Sequence, residues 1–128
     1  MLNHVLLVAL GGALGASLRF LAATYVTRLY SGLFPLGTFL VNLTGSFLIG
    51  ILMTLFVSRP TLNPAWRLLL VTGVLGGYTT FSSFEWETLA AWKGGAPWVA
   101  LLNILLSVSL GFSGVWLGFL LTNRMKNH

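Results

Sequence analysis

The sequence predicts an all-α membrane protein with four transmembrane helices. Three observations predict it. Of 128 residues, 56% are hydrophobic and only 7% charged, where a soluble domain carries roughly a quarter charged residues. Four apolar stretches are each long enough for a hydrocarbon core of about 30 Å, which takes about 20 helical residues. Turn-forming clusters separate them, and no linker is long enough to divide the chain, so residues 1–128 read as one domain.

The first span runs from about Asn3 to Arg28. It lacks the basic start of a signal peptide and stays apolar past Arg19, so it reads as a retained helix. Gly11 and Gly15 lie four apart, a spacing that lets helix backbones approach closely in lipid. Arg19 is the one charged side chain well inside. It reads equally as an interfacial anchor or as an attractor of anions. It is no proton carrier, because arginine stays protonated.

The second span covers about Leu36 to Val57 after "RLYSGLFP", whose Gly and Pro make a turn. Thr38, Asn42 and Ser46 recur at four-residue spacing, which stacks them on one helix face. Such a strip faces either a partner helix or a water-filled path. The fourth span, about Pro97 to Thr122, repeats the arrangement with Asn103 and Ser107, followed by Gly111, and adds the pair Gly114 and Gly118.

The third span, about Trp66 to Trp92, holds "GGYTTFSSFEWE" at Gly76–Glu87. Glycines and threonines near its middle form helix poorly. One reading is a glycine-rich helix whose hydroxyls bond back to the preceding turn. The other is an interrupted helix, tolerated in a membrane only where protein buries it or a cavity admits a ligand, with freed carbonyls able to bind a cation. Phe81 and Phe84 share a face; they pack in a core or present positive ring edges to a small anion. Thr80, Ser83 and Glu87 form an adjacent polar stripe, and Glu85 reads as interfacial.

Composition excludes several functions. Without cysteine there is no disulfide, thiolate metal site or cysteine nucleophile. Two acidic residues, neither matched with a histidine in the spans, leave no acid–base or metal set, so the chain is not expected to be an enzyme. The net charge is +5, but the basic residues are scattered near segment ends and form no stripe for nucleic acid. With both termini on one side, Arg59, Arg67, Arg124 and Lys126 face Arg28 and Lys93 across the membrane. The positive-inside rule favours cytoplasmic termini by a narrow margin, and a chain inserting both ways would show the same weak bias.

Four segments together resemble the Fluc (CrcB) family of bacterial fluoride channels: "GGALGASLRF" at Gly11–Phe20, "GTFLVNLTGSFLIG" at Gly37–Gly50, "TGVLGGYTTFSSFEWE" at Thr72–Glu87 and "NILLSVSLG" at Asn103–Gly111. The resemblance covers nearly the whole chain. It implies an antiparallel, dual-topology homodimer in the bacterial inner membrane that exports fluoride passively through two narrow pores, with strong discrimination against chloride. It implies a break in the third transmembrane helix and a structural sodium ion (Na+) at the dimer centre, held there by the backbone carbonyls of Gly76 and Thr79 from both subunits. Matching residue by residue, Phe81 and Phe84 line the pores, Asn42 donates to the ion, Ser107 lies on the fourth helix's polar track, and Arg19 stands near the aqueous entrance. Thr80 and Ser83 offer further hydroxyls. The fourth-helix track departs from the family at Asn103 and at Gly111, which has no hydroxyl, and Glu87 matches a recurring acidic position without an assigned role.

Two rival readings make different demands. Small four-span, proton-coupled drug exporters need a glutamate in the first span, where this chain has Arg19. A subunit serving only assembly would use its glycines and polar strips for packing alone.

Overall fold

A computed structural model describes residues 1–126 of the protein. All regular elements among them are helical: α1 (Leu2–Leu29), α2 (Leu36–Ser58), α3 (Pro64–Arg67), a π-helical segment (Leu68–Leu75), α4 (Gly76–Tyr78), α5 (Phe81–Lys93) and α6 (Pro97–Lys126). Helices α1, α2 and α6 are each long and apolar enough to cross a membrane. They occupy the first, second and fourth apolar stretches. The chain is a multi-pass membrane protein.

Local chemistry explains the boundaries. Pro64 stands at the first position of α3, and the Asn63 side chain accepts from the Ala65 N–H at 2.9 Å, satisfying an end group that helical bonding cannot. α5 ends at Gly94, and Gly95 has φ +85°. That left-handed turn suits glycine and lets Pro97 open α6.

The third apolar stretch is assembled from pieces. Thr79 (φ −79°, ψ 157°) and Thr80 (φ −150°, ψ 114°) are extended between α4 and α5. Upstream, the π-helical segment and α4 pack against α1; downstream, α5 packs against α6. The two extended residues thus carry the chain from one neighbour to the other. The π-helical register is a feature that hydrophobic periodicity did not signal. It lies where two backbones meet: a Cβ added to Gly11 would come within 2.9 Å of the Gly73 Cα.

α2 packs mainly on α6, and here too glycine sets the distance. A Cβ on Gly118 would lie 2.9 Å from the Ile51 nitrogen. The fully buried apolar side chains are few, with Val41 and Val99 the best covered. Leucines and aromatics along α1 and α6 face outward instead. In lipid this is the expected arrangement, because hydrocarbon solvates them and close packing holds the helices together.

Candidate functional site

The sequence strip on α2 faces α5. Asn42 forms a two-point clamp on Thr80: its Nδ2 donates to the Thr80 carbonyl at 2.9 Å, and its Oδ1 accepts from the Thr80 N–H at 2.8 Å. This side-chain amide replaces the peptide partner that an extended residue loses. It satisfies both polar groups at a place where the bilayer offers no water. One of the two Nδ2 protons is used, and the second remains to donate. One turn earlier, the Thr38 hydroxyl donates to Glu87 Oε1 at 2.7 Å.

Thr80 also starts α5. Its Oγ1 accepts from the Ser83 N–H at 3.2 Å and donates to the Ser83 hydroxyl at 3.0 Å. The Ser83 proton stays available. Thr79 behaves differently: its hydroxyl bonds back to the Leu75 carbonyl at 3.0 Å, as the continuous-helix reading expected of such residues. Arg19 reaches across from α1, and its Nη1 donates to the Thr79 carbonyl at 3.4 Å.

These residues border a cavity of about 340 Å³ between α2, the π-helical segment with α4, α5 and α6. Asn42, Gly76, Thr79, Thr80, Phe81, Phe84 and Ser107 all line it, with Gly45, Ser46, Ile49, Val71, Leu75 and Val108 completing the wall. Of the residues singled out from sequence, Ser83 and Arg19 stand outside this lining, as do Thr38, Glu85, Glu87, Asn103 and Gly111; Ser83 and Arg19 touch it through Thr80 and Thr79. No charged side chain is in the wall. Its electrostatics come from dipoles: the positive end of the 13-residue α5 opens beside the cavity, and the Asn42 amide and two phenylalanine rings belong to the wall.

The two phenylalanines are placed unequally. Their ring centroids are 5.7 Å apart, with planes tilted 49°. Both belong to the wall, but Phe84 is 7% exposed and Phe81 is 73% exposed. A wall of neutral polar groups and aromatic rings suits a small anion that must shed water and later leave.

The model of the family described as "CrcB-like protein, Camphor Resistance (CrcB)" matches residues 6–119. The chain belongs to the CrcB family. Curated relatives of this CrcB chain include several named fluoride-specific ion channel FluC. The Solibacter usitatus protein (strain Ellin6076) is 53% identical over 119 residues, 93% of this chain and 98% of the relative. That of Acidobacterium capsulatum is 47% identical over 118 residues, 92% and 94% of the two chains. That of Rhizobium meliloti (strain 1021) is 43% identical over 124 residues, covering 97% and 99%. These relatives are named as channels, a class of transporter and not of enzyme.

Sequence reasoning missed one residue that bonds to the cavity wall from outside it. Thr88 donates to the Phe84 carbonyl at 2.8 Å and accepts from Asn103 Nδ2 at 2.9 Å. Its position four residues after Phe84 was the available signal, and nothing in the sequence links it to Asn103, fifteen residues away.

Proposed function

We propose that this CrcB chain is a fluoride-selective channel that lets fluoride leave the cytoplasm passively. The observation that carries the reading is the cavity beside the extended Thr79–Thr80 pair. It is membrane-embedded, has no charged wall, and gathers the α5 N-terminus, the spare Asn42 proton and two phenylalanines. Fluoride is small and strongly hydrated, so a narrow path must replace its water with donors. Asn42 can supply a proton, while Phe81 and Phe84 supply weaker positive edges. A larger halide fits worse and gains less from each donor. Net charge in the wall is absent, which keeps binding weak enough for release.

The working unit is an antiparallel homodimer inserted both ways in the bacterial inner membrane, with two pores. Support for a second subunit comes from Phe81, whose ring has little protein around it in one protomer and would complete a pore wall on the other. Na+ at the dimer centre would supply a fixed positive charge and hold the two interrupted spans together. The residues suited to it are Gly76 and Thr79. The Thr80 N–H, which would close the helical bond onto the Gly76 carbonyl, is given to Asn42 instead, and Thr79 is extended. Neutral carbonyl oxygens suit a hard cation. A carbonyl has two lone pairs, so Thr79 can accept from Arg19 and still offer one to the ion.

The test is fluoride efflux from liposomes holding the purified protein, followed with a fluoride electrode, beside chloride-loaded vesicles. Rapid fluoride release with little chloride release supports the channel. A folded, reconstituted dimer that releases neither anion overturns it and leaves a subunit whose polar strips serve assembly.

A further inference from the structure

Asn103 and Ser107 lie one turn apart on α6, yet they face different surroundings. Ser107 lines the cavity and Asn103 does not. Asn103 is 2% exposed and is held between α5 and α6.

The direction of each proton in this contact follows from the one before. The Phe84 carbonyl can only accept, so the Thr88 hydroxyl gives it its single proton at 2.8 Å. Thr88 Oγ1 is then an acceptor toward Asn103, which turns the Asn103 Nδ2 to it at 2.9 Å. That orientation leaves Asn103 Oδ1 facing Ser107, whose hydroxyl donates to it at 3.1 Å. Ser107 therefore presents lone pairs to the cavity. Gly111, the next position on that face of α6, has no hydroxyl to substitute.

We propose that Asn103, anchored by Thr88, is a specificity-determining positioning residue that competes with the permeating anion for the Ser107 proton. This rests on the fluoride-channel reading. An anion gains the Ser107 donor only by drawing the O–H away from Asn103, so it keeps the difference between two hydrogen bonds. Hydrogen bonds to an ion are about twice as strong as neutral ones. Fluoride, with its concentrated charge, wins that exchange, and a larger halide gains too little to win it. When fluoride moves on, Asn103 recaptures the proton, which favours release over trapping.

The experiment measures initial efflux from liposomes against fluoride concentration, together with the fluoride-to-chloride rate ratio. Asn103→Leu frees Ser107, and the half-saturating fluoride concentration should fall about fivefold, the worth of one neutral hydrogen bond, while chloride efflux rises. Adding Ser107→Ala to Asn103→Leu should remove both changes. Thr88→Val, of nearly the same shape, lets Asn103 turn and should shift both quantities in the same direction by less. Thr88→Ser should behave as the unsubstituted protein. Variants that lower only the maximal rate, with half-saturation and anion ratio unchanged, overturn the proposal and make Asn103 a structural strut. Thr88→Val decides the matter if Asn103→Leu does not assemble. Fluoride flux in the unsubstituted protein with unmoved variants defeats this proposal alone, whereas no flux in the unsubstituted protein defeats the channel reading and this proposal together.

Discussion

The two halves of the third span are held by opposite means. From Leu68 to Tyr78 the chain lies against α1 with glycines at the contact, backbone near backbone. From Thr80 to Thr88 it is held by side-chain hydrogen bonds to both flanking helices: Asn42 and Thr38 on α2, and Asn103 on α6. The first half depends on volume and the second on pairing of polar atoms. Added bulk should therefore damage one and lost donors the other, although both belong to the same apolar stretch.

The sharpest break in this contrast is Asn42→Leu. It keeps the size of the side chain and leaves the Thr80 N–H and C=O unpaired within the membrane. A cost of roughly 2–5 kcal/mol follows from two such groups. Loss of monodisperse protein in detergent, or a large fall in its unfolding temperature, would register it, and a stable variant would remove the clamp from the account. Gly11→Val tests the other half by volume. Its Cβ meets the Gly73 backbone, and overpacking costs typically about 1–3 kcal/mol. Stability should fall while any protein that still assembles keeps its anion preference.

Phe81→Ile separates function from packing. Phe81 is largely exposed in the protomer, so protomer stability should change by no more than about 0.5 kcal/mol. Fluoride flux should nevertheless fall by tenfold or more if its ring edge meets the ion, roughly 1.4 kcal/mol at the barrier. Unchanged flux would return Phe81 to a packing role. The smallest effect within a protomer is expected for Gly76→Ala. A Cβ there meets only the Val71 carbonyl, at an ordinary 3.7 Å. A large loss of dimer with sodium present, by cross-linking in vesicles, would place the demand for glycine at the subunit contact; an undisturbed dimer would mean that no demand exists.

Much of this was legible in the residues. Apolar runs located α1, α2 and α6, and the glycine pairs Gly11/Gly15 and Gly114/Gly118 do sit where backbones approach, on the third span and on α2. The α2 strip was also readable as a strip, because four-residue spacing fixes a face. Spacing does not name the partner across that face. Asn103 and Ser107 read as one stripe, yet Asn103 turns to Thr88 and Ser107 to the cavity. The partner change at Thr79–Thr80 was equally hidden, since glycines and threonines weaken a helix without saying toward which neighbour the chain continues. The π-helical segment left no trace in hydrophobicity, which Leu68–Leu75 carries on all sides.

The Asn42 clamp also bears on biosynthesis. Its two partners are 38 residues apart in the chain. Until α2 lies beside it, the third span carries an unpaired N–H and C=O at Thr80, each costing several kcal/mol in hydrocarbon. The third span is then a poor resident of lipid on its own. It should leave the insertion machinery only in company with α2, so the smallest unit that can be delivered stably to the bilayer is the hairpin and not the single helix.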